Sequence, residues 1–513
     1  MSAVFGAALI VMGGFIASKL LGLVRNIVIG YQYGASREYE LFLAAIAVPD
    51  TLFQVLAGGT VSAAFIPVFT AYLARGDEDK AWRLASSLIT LATLLIGAMA
   101  LALALVAPAL MGVLVAGWTP AEQQQTAGLA RIMMACAAVF AVSALITSAL
   151  NGARRFALSA AAPLMYNLSL MGGAVLLRPW GVEGLALSAV VGALLHLAVQ
   201  VPGLVAIGMR YAPTLGLALE GTREVARLMG PRVLTLAVSQ LTVLVSVALA
   251  SFLVEGSVAY LSYAWLIIMV PLGVFGMGIA TAAFPTLAEQ GAQARIGEQR
   301  QTFLVTLRLI LYLTIPAALG LIVLAHPIVA LLLERGAFGP VATSATAFAL
   351  TWYALGLPAH ASIEIINRVF YAERDTATPF LVAMVGAACS ITLGILLMRT
   401  DLSFGGLALA NSIGAIFEAS ILGAILHRRL RWIERGQLAP FVWRVALAAA
   451  AMVAATVVLV GALEPRVDST HWTGPLVLVV AAIVVGAISY VGTSLALGVE
   501  DVRRAAQLSI RRP

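Results

Sequence analysis

Charge is what this sequence has least of. Aspartate, glutamate, lysine and arginine together make up 11% of the 513 residues, while 61% are hydrophobic. A soluble domain carries roughly a quarter charged residues, so this chain lacks the means to clothe a water-exposed surface. Cysteine is limited to Cys136 and Cys389, each inside an apolar run. A disulfide would need the two to be adjacent, and the expectation is two small buried hydrophobes. The five histidines show no HExxH spacing and there is no CxxC pair, so no metal site is expected. No GxxxxGK[ST] segment occurs, which excludes ATP as the direct energy source. GVFGMGIA (273–280) has glycine spacing, but within an apolar segment, where it means close helix packing. No catalytic constellation emerges, so the chain reads as something other than an enzyme. The first apolar run lacks a basic leader and a small-residue cleavage site, and is expected to be a retained span, not a signal peptide.

What the chain has instead is apolar runs of about 20 residues or more, the length that crosses a bilayer. The expected fold is an all-α polytopic membrane protein with 14 transmembrane helices. They lie near 4–30, 41–73, 83–115, 121–151, 157–178, 184–208, 228–254, 258–288, 302–333, 342–371, 377–398, 405–427, 440–462 and 473–498. The longest of these imply tilt or protrusion. The connection from Met209 to Leu228, with its REVARL stretch, reads as an amphipathic surface helix. An even count puts both termini on one side. That side holds 22 of the 31 lysines and arginines, so the positive-inside rule makes it cytoplasmic. The net charge of +7 is then topogenic, and nucleic acid is not an expected partner.

The chain also repeats itself. GLALSAVVGALLH from Gly184 matches GLALANSIGAIFE from Gly406, and Val48-Pro49 matches Val270-Pro271, both at an offset of 222. GTVSAAFIP from Gly59 resembles GIATAAFP from Gly278, and Arg154 and Arg374 occupy similar short loops. A repeat of six spans keeps one orientation, which predicts two pseudo-symmetric six-helix lobes about an axis along the membrane normal. The expected division is 1–222 and 223–436 for the lobes, with 437–513 adding two C-terminal helices and a cytoplasmic tail.

The ionisable residues inside spans carry the functional reading, because such groups normally face a bundle interior or a wet cavity. The first two spans hold Lys19, Arg25, Glu40 and Asp50, and are interrupted by Gly22, Pro49, Gly58, Gly59 and Pro67. Broken helices with buried cations describe the wall of a polar chamber for an anionic head group. Lys19 and Arg25 are six residues apart, roughly 9 Å along the helix and ~120° around it, so they flank a space and do not stack. Arg25 suits bidentate phosphate binding and Lys19 supplies a point charge. The alternative is structural: Arg25 pairs with Glu40 or Asp50, or both cations snorkel. Glu364 and Arg368 stand at i,i+4, either as a self-neutralised pair or as a latch between lobes. His196 and Glu418 occupy equivalent repeat positions and are either proton-linked or separately satisfied.

Several stretches resemble the MurJ/MviN family of lipid II flippases, within the multidrug/oligosaccharidyl-lipid/polysaccharide exporter superfamily. They are SKLLGLVRN (18–26), VPDTLFQVLAGGTVSAAFIPVF (48–69), QVPGL (200–204), MGPRVLTLAVSQ (229–240), SYAWLIIMVPLGVFGMGIATAAFPTL (262–287), LLLERGAFG (331–339) and YALGLPAHASIEIINRVFYAERDTATP (353–379). The resemblance implies translocation of undecaprenyl-pyrophosphate-linked disaccharide-pentapeptide from the inner to the outer leaflet, by alternating access between the lobes. It implies a bacterial plasma-membrane location, a monomer, no cofactor, and drive from the membrane potential or an ion gradient. It implies a groove beside the last two spans for the lipid tail. Carried over, the family's cavity cations fall on Lys19 and Arg25, its next acidic residue on Asn26, and an early span-2 acid on Glu40. Two further arginines of the pattern fall on Phe53, next to Gln54, and on Leu266, next to Trp265. The sodium-site carboxylates of some members are absent. The substrate-binding set expected is therefore Lys19, Arg25, Asn26, Glu40, Asp50 and Gln54. Rival readings are a flippase for another polyprenyl-pyrophosphate glycan, a drug or cation antiporter of the same superfamily, and a membrane scaffold with a degenerate cavity.

Overall fold

A chain this apolar can lie in lipid only if each backbone N–H and C=O is bonded locally, and the helix does this within one segment. The computed structural model is helical throughout, with no strand among the described residues. It describes residues 2–56, 60–153, 155–209, 211–431, 438–466 and 472–499, with side chains of the first helix from Ala17 onward. Gly58, Gly59, Arg154 and the expected cytoplasmic tail fall outside that set.

Two compact units form, Met1–Ala259 with Arg335–Phe338, and Tyr260–Glu334 with Gly339–Pro513. The first contains α1 (Ser2–Tyr33), α2 (Arg37–Leu56), α3 (Thr60–Ala74), α4 (Glu78–Leu105), α5 (Ala107–Leu114), α6 (Pro120–Gly152), α7 (Phe156–Leu176), α8 (Gly181–Ala198), α9 (Val201–Ala206) and α10 (Glu220–Ala250). After α11 (Ser257–Pro271), the second contains α12 (Ile279–Ala292), α13 (Ile296–Val323), α14 (Ala325–Leu333), α15 (Pro340–Ala354) and α16 (Leu357–Ala372). It ends with α17 (Ala377–Leu397), α18 (Phe404–Leu430), α19 (Leu438–Leu463) and α20 (Thr473–Ala496). The repeat boundary near 222 and the unit boundary after Ala259 differ because α10 packs on α2 and α3.

Eleven helical stretches among the described residues are long and apolar enough to cross a membrane. The other three expected spans are also helical. α1 covers the first. α10 covers the seventh and includes the apolar stretch Leu236–Ala250. The tenth is broken into α15 and α16 at Leu355–Gly356, where a Cβ on Gly356 would lie 2.7 Å from Ser412 Oγ. The REVARL stretch is not a separate surface helix; it forms the first turns of α10. Breaks shorten two of the over-long spans. α4 stops at Leu105 and α5 resumes with Pro108 in its first turn, where the missing N–H costs nothing. α13 gives way to α14 at Leu324, before Pro327.

The span from Ser257 to Ala292 is continuous through a π-helical turn, Leu272–Gly278. Pro271 has no N–H to give and its ring crowds the preceding turn, and a wider turn accommodates both. Within it Gly276 lies against α16, where an added Cβ would meet Ala361 Cα at 3.1 Å. This is the close packing expected of GVFGMGIA. The repeat also shows in packing. A Cβ on Gly184 would lie 2.5 Å from Leu177 O, and one on Gly406 would lie 2.7 Å from Leu397 O. Gly192 presses on Ser169 as Gly414 presses on Ser390. Each copy thus closes a helical hairpin, α7–α8 or α17–α18, through matching glycines. α19 and α20 pack on α13, where Tyr490 Oη donates to Tyr312 O at 2.7 Å.

The connection before α17 is held by Arg429, whose Nη1 meets Glu373 Oε2 at 3.2 Å and whose Nη2 meets Asp375 Oδ2 at 2.6 Å. Burial alone would push the Asp375 carboxyl up. Hydrogen bonds from the Thr378 backbone and hydroxyl, and from Arg429, outweigh it and hold Asp375 below its ordinary value of 3.8. A depressed folded-state value stabilises the fold above 3.8, and that contribution is lost as pH falls through the folded-state value. The thermal midpoint should therefore drop on acidification below about pH 4, and Asp375→Asn should flatten that limb. Superimposable acid profiles for parent and variant would defeat this expectation.

Candidate functional site

The candidate chamber is built within the first unit, on α1, α2, α6, α7 and α8. Arg25 sits mid-helix on α1, half-buried. Its Nη1 donates to Asn167 Oδ1 of α7 at 3.0 Å, and its Nη2 to Asn26 Oδ1 at 3.4 Å. Its Nε is buried with no partner among the described residues. Asn26 is fixed in turn by donating to Gly22 O at 3.0 Å. Asp50 on α2 lies in the field of Arg25, and both act on Tyr166 of α7. Arg25 and Asp50 form no ion pair among the described residues, so neither closed salt bridge expected for Arg25 is made. Asp50 is exposed, yet it also acts on Cys136 of α6. Asp50 is thus accessible to solvent and within the electrostatic reach of side chains on α1, α6 and α7. Gln54 lies one turn along α2 from Asp50, on the same face, and is exposed. Lys19 is exposed on α1.

Aromatic packing lies at or beside Phe53 and Leu266, the two positions on which the resemblance placed further cations. Phe53 packs on Phe140 of α6 at 5.3 Å, and Phe140 meets Tyr166 edge-on at 5.1 Å and His196 of α8 at 5.3 Å. In the second unit Trp265, beside Leu266, packs on Tyr353 at 5.2 Å and His360 at 5.5 Å.

The other expected site residues are placed elsewhere. Glu40 is fully buried, away from Arg25: its Oε2 pairs with Arg37 Nη1 at 2.8 Å, and its Oε1 accepts from the Val258 backbone N–H at 2.7 Å. Arg37 also meets Glu122 at 3.1 Å, donates its backbone N–H to Glu255 at 3.0 Å, and lies 4.8 Å over Trp118. His196 Nδ1 shares a 2.7 Å hydrogen bond with Ser143 Oγ, which accepts from Gln200 Nε2 at 2.7 Å. Glu418 is half-buried on α18 against Gly386 of α17, with no hydrogen-bond partner among the described residues. The neighbours recorded for His196 and for Glu418 lie within each one's own unit. Arg368 pairs with Glu364 at 2.7 Å and donates to Thr281 at 2.8 Å. That is the self-neutralised form of the pair, with an extra tie to α12. Sequence reasoning missed Asn167 and Arg37. The signals were present: a lone asparagine in an apolar span, and a cation three residues before an acid at a helix start. No cluster of metal-ligating side chains occurs among the described residues.

Eleven helical stretches long and apolar enough to cross a membrane, among the described residues, mark the chain as a multi-pass membrane protein. The family described as "Lipid II flippase MurJ" matches residues 29–473, and the chain belongs to that family. A Vibrio cholerae relative described as "Probable lipid II flippase MurJ" is 29% identical, over 98% of this chain and 98% of its own. The "Lipid II flippase MurJ" of Burkholderia cenocepacia is 28% identical over 96% of this chain and 97% of its own. Among solved structures, "Lipid II flippase MurJ, inward closed conformation" superposes with a TM-score of 0.80 at 23% identity, covering 95% of this chain and 98% of the other. An inward-facing multidrug resistance MATE transporter gives 0.70 at 15% identity, covering 80% and 94%; these two likenesses establish the fold. The chain is a multi-pass protein of the bacterial inner membrane.

Proposed function

We propose that this chain flips lipid II, carrying undecaprenyl-pyrophosphate-linked disaccharide-pentapeptide from the inner to the outer leaflet for cell-wall synthesis. The observation that carries the reading is Arg25, a guanidinium held inside the first unit by neutral acceptors and, among the described residues, by no carboxylate. A diphosphate bears about two charges and needs such a cation in a low-dielectric chamber. Lys19, Asn26, Asp50 and Gln54 complete the head-group wall, and the repeated halves alternate access to it. The chain has fourteen spans, the three additional ones being α1, α10 and the α15–α16 pair, and the basic-residue bias places both termini in the cytoplasm. It acts as a monomer, without cofactor or nucleic acid. The membrane potential resets the empty, positive chamber, since one charge across 100 mV is worth roughly 2.3 kcal/mol.

The test is rescue of a conditional flippase-deficient bacterium by the full chain, with Arg25→Ala alongside. Growth with the parent and none with the variant is expected. No rescue with raised drug tolerance would transfer the reading to an antiporter, and rescue by both chains would remove Arg25 from the mechanism.

A further inference from the structure

We propose that Asn167 is the positioning residue for Arg25, and that its neutrality keeps the guanidinium's charge available to a diphosphate. The inference rests on the reading of Arg25 as the phosphate-binding group. Asn167 is 5% exposed on α7. Its Nδ2 donates to Pro163 O at 3.0 Å and to Ser18 O at 3.5 Å. With both amide hydrogens committed to carbonyls on two helices, Oδ1 has one direction left, and Arg25 Nη1 lies there at 3.0 Å. Asn26 takes the other terminal nitrogen at 3.4 Å. The guanidinium plane is thereby fixed by two neutral acceptors, while Nε remains buried with no partner among the described residues.

Neutral acceptors and a carboxylate would act differently at this place. An aspartate at 167 would reach the same nitrogen and form a desolvated ion pair, and an incoming diphosphate would have to compete with it. An apolar residue would release a long, rotamer-rich side chain. Asparagine orients the cation without cancelling it. Asp50, a carboxylate in its field, forms no ion pair with it among the described residues, so the arrangement leaves the charge for a ligand.

The experiment titrates the full-length chain in nanodiscs with farnesyl diphosphate. Asn167→Asp should weaken binding about tenfold or more, Asn167→Ala less, and Asn167→Ser, which keeps a neutral acceptor, should stay within about threefold of the parent. None of these changes should weaken binding further in an Arg25→Ala chain, because positioning acts only through Arg25. A merely structural asparagine would give the same added loss in both backgrounds, and that result overturns the proposal. So does parent-like binding by both Asn167→Asp and Asn167→Ala while Arg25→Ala has lost it. If Arg25→Ala itself binds like the parent, the head-group site fails first and the positioning role with it.

Discussion

Purified chain carrying Arg25→Ala, reconstituted in liposomes, is expected to lose lipid II translocation by roughly a hundredfold while its thermal midpoint stays close to the parent. The magnitude follows from the bonds at stake. A charge-assisted hydrogen bond contributes about 1.5–3 kcal/mol, and a desolvated diphosphate facing a guanidinium makes two; roughly 3 kcal/mol corresponds to about a hundredfold. The small stability effect follows from the partners. Arg25 is held by Asn167 and Asn26, both neutral, so its removal leaves no orphaned counter-charge. Asn26 retains its bond to Gly22 O, and Asn167 those to Pro163 O and Ser18 O. Arg25→Lys should recover part of the activity, since it keeps the charge and loses the fork. Full translocation by Arg25→Ala would refute the site, and a collapse of thermal stability would mean that the residue is a fold element.

Helical class and most spans were legible because lipid solvent imposes one length and one period. Breaks were less so: α4–α5, α13–α14 and α15–α16 were each read as one span, because hydropathy averages across a single kink. The π-turn at Leu272–Gly278 was marked only by Pro271 and its glycines, and their shared signature is also that of ordinary close packing. At the site, the ionisable residues in α1 and α2 announced Arg25 and Asp50, since each is costly in lipid whatever its partner. Partners were the illegible part. Asn167 follows Arg25 by 142 residues, and nothing local in the sequence of α7 says which helix it will meet. The same holds for Glu40, whose partner Val258 lies 218 residues on. An acid early in span 2 was read into the chamber by resemblance, whereas tertiary contact makes it a structural anchor.

Glu40→Ala should therefore cost stability and spare head-group affinity. The Glu40 side chain is 1% exposed and ties Arg37 to the Val258 backbone N–H. Arg37 would be left with Glu122 alone at 3.1 Å, and the Val258 N–H would lose its acceptor at the start of α11. Breaking one side of a buried, hydrogen-bonded pair costs about 3–5 kcal/mol, against a total stability of about 5–15 kcal/mol. A fall of many degrees in thermal midpoint is the expected result. Glu40→Gln should recover part of it, because a neutral amide oxygen still accepts from Val258 while the charge pairing with Arg37 is lost. Whatever fraction of either variant folds should bind farnesyl diphosphate with the parent's affinity, since no contact joins Glu40 to Arg25 or Asn167 among the described residues. The opposite pattern, an unchanged midpoint with weakened binding, would return Glu40 to the chamber wall.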